Sequence, residues 1–353
     1  MPSPRPYSRV CTNFTAIALA LVFVSAARPA TPTPTTAKRF TFAVIGCVPY
    51  ASYNDGGAAF PRLIAEINRH SPAFTVHVGD TLASSENATD ALLLHRRDEF
   101  NTFDGPLIYT PGDNEWTDTH TAAAGRHDPL ERLAKIRELY FAEERSLGKT
   151  PIPLVTQRRD EPFKKFVENA RWSRGGVVFA TVHVVGSSNN NQPAVPGAVA
   201  EWHERDAADE AWVRATFAEA RATGAPGVAL FFQADPFAAD AGRPGYAAGF
   251  EKFLKTVEDE ARAYAKPVLL VHADEHRYRL DLGMRFAAGA DPVPNVTRLE
   301  TFGDDNIHDS LVLVDPASVQ VFLTAPLLVP GNGLPKILPA APARRLPAGA
   351  AQP

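Results

Sequence analysis

Apolar residues along this chain gather into short unbroken runs. The runs over residues 40–45 (FTFAVI), 74–78 (FTVHV), 106–109 (PLIY), 177–185 (VVFATVHVV), 228–232 (VALFF) and 267–271 (PVLLV) lack the polar alternation of a half-exposed strand. That is the pattern of strands covered on both faces. Each run ends in glycine, proline or polar side chains: Gly46-Cys47, Gly79-Asp80, Pro111-Gly112-Asp113-Asn114-Glu115, Gly186 with Ser187 to Asn191, Gln233-Ala234-Asp235-Pro236, and His272-Ala273-Asp274-Glu275-His276. Between the runs the period changes to that of a helix. Phe60, Leu63, Ile64 and Ile67 predict an amphipathic helix over 59–70. Further helices are expected over 90–103, from Pro129 with Asp128 as its cap, over 201–223 and over 246–264.

Residues 148–175 are mixed and charged, without a clear period. After His276 the pattern shortens, and 277–282, 311–314 and 319–324 read as short strands joined by turns. Alternation of strand and helix implies an α/β domain on a mainly parallel sheet, with antiparallel strands added late. There is no internal repeat and no long linker, so residues 38–326 are expected to form one domain. The Pro/Ala-rich residues 327–353 are expected to start as a strap and continue as a tail.

Composition changes this picture little: the chain has 353 residues, 45% hydrophobic and 22% charged, as globular proteins do. A net charge of -4 gives no electrostatic case for nucleic acid or an anionic membrane. The N-terminus matters more. Arg5 and Arg9 precede an apolar run over 14–27, then small residues and a Pro/Thr-rich spacer, the order of a secretory signal. The run is too short to span a bilayer comfortably. Residues 1–30 are therefore expected to be signal peptide and the start of a spacer, cleaved between Ala26 and Thr31. The mature chain, without a membrane span, would be exported to the periplasm or outside the cell. The competing reading is a retained N-terminal anchor. Cys47 is then the only cysteine left, and no intramolecular disulfide is possible. The Ala/Pro/Arg-rich composition looks bacterial.

Metal-capable groups follow five of the apolar runs: Cys47, Asp80, Asp113 with Asn114, Gln233, and Asp274 with His276. One acid after a strand is normally a helix cap. Five on parallel strands would share one edge, where open α/β sheets bind ligands. Oxygen-rich donors with one imidazole suit Mg, Mn, Fe or Zn. Other residues have plainer readings. His77 and His183, in mid-strand, are expected in the core, Trp116 and Trp172 are expected to pack, and Cys47 also suits a small buried position.

The order Gly79-Asp80, Gly112-Asp113-Asn114-Glu115, a polar residue after a later strand and Asp274-x-His276 resembles the calcineurin-like metallophosphoesterases. More narrowly, it resembles a divergent bacterial branch with a PGDNEW signature, here Pro111 to Trp116. The resemblance covers roughly residues 40–325. It implies a four-layer αββα sandwich of two mixed β-sheets flanked by helices, and hydrolysis of a phosphate ester by metal-bound hydroxide. It also implies a phosphorylated small molecule or other phosphorylated substrate. Carried over position by position, Asp80, Asp113, Gln233 and Asp274 would form one metal site, and Cys47, Asp80 and His276 a second. Cys47 and Pro49 replace the family's first Asp and His, Asn114 replaces its proton-donating His, and Gln233 and Asp274 each replace a His. One divalent ion is therefore expected rather than two. Asn114 and Glu115 would position substrate or orient ligands. His272, with His120 and His308 as alternatives, would supply the missing proton. The alternative is a phosphoesterase fold that has lost catalysis and binds a ligand or partner.

Overall fold

The computed structural model describes residues 38–51, 55–237, 246–287 and 289–335, together with residues 1 and 3. The expected signal peptide and the tail beyond residue 335 lie outside the described residues.

The apolar runs do become strands, but in two sheets. One has five strands in the order β12-β11-β1-β2-β3, the other seven in the order β4-β5-β6-β7-β8-β10-β9. The first contains β1 (Phe40–Ile45), β2 (Thr75–His77), β3 (Leu107–Tyr109), β11 (Asp309–Val314) and β12 (Phe322–Leu327). The second contains β4 (Val155–Thr156), β5 (Ala170–Arg174), β6 (Val177–Thr181), β7 (Val228–Phe231), β8 (Val268–His272), β9 (Arg279–Met284) and β10 (Val293–Glu300). β1, β2 and β3 run parallel, as do β6, β7, β8 and β10, and the remaining pairs are antiparallel.

Three apolar layers explain why the runs are continuous. In β1, Phe42 and Val44 face the core between the sheets, where they meet Phe74, Trp172, Phe179, Phe231 and Val271. Ala43 and Ile45 face the other way, into a layer with Phe60, Leu63, Phe100, Leu133 and Ile136 from helices Ala59–His70, Asp90–Phe100 and Pro129–Tyr140. The outer face of the second sheet packs Leu230, Val268 and Leu270 against Trp212, Phe217, Phe253 and Val257 of helices Ala198–Thr223 and Glu251–Tyr264. Helix, sheet, sheet, helix is the four-layer α/β sandwich. A mainly parallel single sheet, as alternation alone suggested, is corrected: the runs report burial on both faces, not what covers each face.

Several local expectations agree with the structure. Asp128 Oδ1 accepts the Leu130 N–H at 2.8 Å with Pro129 at the first position, which caps that helix. His77 and His183 are buried in the core, and Trp116 and Trp172 are packed. Three strands carried no usable signal: β4, β5 and β10. The eight-residue β10 mixes Asn295, Thr297, Arg298 and Glu300 with its apolar residues. Buried Arg298 and Glu300 disguise it, because charged side chains are rarely buried unless paired. β4 and β5 lie in the stretch where no period was visible. The chain also stays on the fold past residue 326. Asn332 Nδ2 donates to Ala59 O at 3.0 Å and Ile307 O at 2.8 Å, tying the strap to the first helix.

Candidate metal centre

The C-terminal ends of the parallel strands in both sheets meet at one edge, and the turns there are tight. Gly79 and Gly112 lie against each other: a Cβ on Gly112 would fall 2.0 Å from Asp80 Oδ1. Glycine at these two places lets Asp80 and Asp113 come together. The chain reverses at once on leaving the strands, with φ of 51° at Cys47, 59° at Asp80, 82° at Asp274 and 62° at His276. Left-handed backbone is unfavourable for such residues and concentrates at functional sites.

Asp80, Asp113 and Asp274 converge so that one carboxylate oxygen from each lies within 4.8 Å of the others. Every hydrogen bond they accept comes from a neutral donor. Asp80 Oδ2 accepts from Gln233 Nε2 at 3.0 Å, Tyr50 Oη at 3.3 Å and Cys47 Sγ at 3.4 Å, and its Oδ1 accepts from Asn114 N at 3.2 Å. Asp274 accepts from Gln233 Nε2 at 3.2 Å and Asp235 N at 3.0 Å. Among the described residues, no lysine or arginine pairs with any of the three. Burial and mutual repulsion push the carboxyls of Asp80 and Asp113 well above the usual range. Burial raises Asp274 to about 6. Buried like charges without a counter-ion are costly, and a divalent cation removes that cost. The donor set fits a hard or borderline divalent ion.

The other expected residues are placed as follows. Gln233 bridges Asp80 and Asp274, but with its NH2 group, because its carbonyl oxygen accepts the Gly186 N–H at 2.6 Å. To ligate through oxygen it would have to turn over and leave Gly186 unpaired. Cys47 lies beneath the carboxylates, where Asp274 N donates to its Sγ at 3.4 Å. Burial, then the charges of Asp80 and Asp274, push its thiol up, so without a cation it stays protonated. Asn114 Nδ2 donates to Tyr50 Oη at 3.0 Å. Glu115 is fully buried, and its Oε1 accepts from Thr81 N at 2.7 Å and Tyr109 Oη at 2.9 Å. It orients the Asp80 turn from behind. His276 lines the cleft, with Nδ1 2.7 Å from Asp304 Oδ1. Such carboxylate partners fix the orientation of ligating histidines.

His272 is not where a proton donor would have to be. It is fully buried, it points to the outer face of its sheet, and burial lowers it to about 4. The cleft is about 390 Å³ and is lined by Tyr50, Asp80, Ser84, Ser85, Asp113, Asn114, Asp274, His276 and Asp304. Tyr50 and Asp304 were not anticipated. Asp304 follows β10 as the other acids follow their strands, and the signal was lost with the strand.

Two sheets whose parallel strands aim acids at a common edge can be compared with solved structures. PhoD superposes with a TM-score of 0.52 at 10% identity over 79% of this chain and 64% of that one. The fold resembles that of PhoD. A dimetal phosphatase from Danio rerio superposes with a TM-score of 0.48 at 10% identity, over 82% of this chain and 99% of that one. For a purple acid phosphatase from yellow lupin (Lupinus luteus) seeds the values are 0.45 and 9%, over 88% and 59%. The chain thus spans less than two thirds of PhoD and of the lupin enzyme. No protein-family model matches the sequence, and no characterised protein matches it by sequence.

Proposed function

We propose that this chain is an exported metal-dependent phosphoesterase, related to the PGDNEW branch of the calcineurin-like metallophosphoesterases. The observation that carries the reading is the convergence of buried Asp80 and Asp113 with half-buried Asp274, all three served only by neutral donors. These three would hold the ion, with His276 on the cleft side. A bound divalent ion supplies Lewis acidity and makes water a usable nucleophile near neutral pH. The chain's own residues do the rest. Ser84, Ser85 and Asn114 offer neutral donors to phosphate oxygens at the cleft wall. Tyr50 links Asn114 to Asp80, so that the phosphate contact and the metal ligand share one hydrogen-bonded frame. Asn114 cannot donate a proton as an acid does, which favours substrates with good leaving groups.

The test is metal-reconstituted protein (Mn, Zn or Fe) assayed on p-nitrophenyl phosphate and its diester. Activity should appear with metal, and Asp113→Ala should lower it on the order of 100-fold or more. One arrangement favours the second reading, a fold that has lost catalysis: the Gln233 NH2 group already bridges two carboxylates. Folded protein that takes up no ion at pH 7.5 would establish that reading instead. Export rests on the basic, apolar, small-residue order of residues 1–36. N-terminal sequencing of protein recovered outside the cytoplasm should begin between Ala26 and Thr31, and an intact Met1 there would refute it.

A further inference from the structure

A second cluster stands behind the first, on the helix-facing side of the seven-stranded sheet. His272 ends β8 and Glu300 ends β10, and they are direct neighbours in the parallel register. Asp235 joins them from the turn after β7. One donor atom from each lies within 4.8 Å of the others, and all three residues are buried.

The histidine decides what this cluster wants. His272 Nδ1 lies 2.8 Å from the Ala273 carbonyl oxygen, which can only accept. In the neutral ring Nδ1 therefore carries the hydrogen, and Nε2 presents a lone pair. That Nε2 is fully buried, has no hydrogen-bond partner among the described residues, and lies 3.9 Å from Asp235 Oδ1. A lone pair and two carboxylates thus face one another. Two donors at about 2.1 Å from a common zinc ion can be at most about 4.2 Å apart, and the 3.9 Å between His272 Nε2 and Asp235 Oδ1 falls within that limit.

The surroundings resemble an outer ligand shell. A ligating histidine usually donates its other N–H to a carbonyl or carboxylate, as His272 does. Arg298 Nη1 holds Asp235 Oδ1 at 3.1 Å while its Nε and Nη2 hold Asp281, and the Arg277 N–H donates to Glu300 Oε1 at 3.2 Å. Among the described residues, the buried Arg298 guanidinium faces buried Asp235 and Glu300 and half-buried Asp281. Arg279 also pairs with Asp281, from the solvent side.

We infer that Asp235, His272 and Glu300 form a second cation site that takes a borderline divalent ion such as zinc. It shares no ligand with the first site. The Asp235 N–H donates to Asp274 Oδ2 at 3.0 Å, so an ion there also fixes the turn that holds one ligand of the first site.

Metal-stripped full-length protein, equilibrated with zinc and desalted, is counted by plasma mass spectrometry. Glu300→Gln and His272→Asn are each expected to bind one equivalent fewer than wild type. The Asp80→Asn/Asp113→Asn protein is expected to keep one equivalent, and adding Glu300→Gln should remove it. Circular dichroism identifies folded variants, and Glu300→Gln, nearly isosteric, serves if His272→Asn does not fold. Loss of all zinc from folded Asp80→Asn/Asp113→Asn protein would overturn the proposal and leave only a shared proton in the cluster. Residual zinc indifferent to both Glu300→Gln and His272→Asn would overturn it as well.

Discussion

Cys47 lies against Asp80 and Asp274 at the base of the cleft, and its surroundings say what replacing it would do. Its Sγ already touches Asp80, and its φ of 51° is one that aspartate tolerates better than most residues. Cys47→Asp adds a fourth carboxylate to the cluster. Without metal it should cost about 1–3 kcal/mol of stability, read as a lower Tm, and manganese should restore the loss. Esterase activity should rise if the proposed phosphoesterase chemistry is only impaired; if the cleft serves binding alone, activity will not change. Asp309 presents a separate case, away from any proposed ligand. It is fully buried, neither oxygen has a hydrogen-bond partner among the described residues, and burial pushes it up to about 8. Its folded value exceeds its ordinary 3.8, so the folded state holds the extra proton between those limits. The penalty of ionising it is absent below about pH 4 and complete above about pH 8. Asp309→Asn should therefore raise Tm at pH 8.5, by up to a few kcal/mol in stability, and leave it almost unchanged at pH 4. Equal gains at both pH values would refute this. The sequence made Asp80, Asp113 and Asp274 legible because each follows an apolar run directly. It could not show that Gln233 turns its NH2 group inward, since that depends on the Gly186 N–H of another strand end.

Ser187, Ser188, Asn189 and Asn190 form a single element, a run of left-handed residues with φ between 50° and 63°. Left-handed backbone costs roughly 1–2 kcal/mol per residue, so something must hold it. Arg205, fully buried in helix Ala198–Thr223, does so. Its Nη1 donates to His183 O and Asn189 Oδ1, both at 2.6 Å, and its Nη2 to Asn189 O at 2.9 Å. Glu201 at 2.7 Å balances its charge. The turn presses Gly186 against the first site, where a Cβ would lie 2.5 Å from Asp113 Oδ2. Arg205→Met strands Glu201 and two carbonyls, and should cost about 3–5 kcal/mol. Arg205→Lys keeps the charge but not the fork, so the turn should loosen while the fold survives. Its metal affinity, measured by calorimetry, should fall several-fold; unchanged affinity would mean that the turn does not set Asp113. The polar run after β6 was legible as the end of a strand. Its handedness was not, because the clamp comes from a helix that folds back over it.

For the whole molecule, two sheets share a single aromatic core, and stability and site geometry are joined there. Phe74 meets Trp172 at 5.4 Å and Phe179 at 5.1 Å, both edge to face, across the layer that sets how far apart the strand ends lie. Phe179→Ala should cost about 3–5 kcal/mol, measured by chemical denaturation. No described helix is long and apolar enough to cross a membrane. Because the carboxylates of the first site repel one another without a counter-charge, a metal ion that binds only the folded chain should raise Tm, as calorimetric scans with and without metal will show. Relief of that repulsion is part of the binding free energy, so at 100 times the dissociation constant the gain should be about 2.7 kcal/mol, and no shift would refute it.

The sequence by itself determined the strands covered on both faces, most helix limits and the acids at the strand ends. Burial and helical period are local properties written in residue order. The partition into two sheets, strand β10 with its buried Arg298 and Glu300, the inward NH2 of Gln233 and the pairing of His272 with Glu300 were decided by tertiary structure alone. Each depends on which surface covers which. A charge or an amide can be buried only when a partner distant in sequence satisfies it.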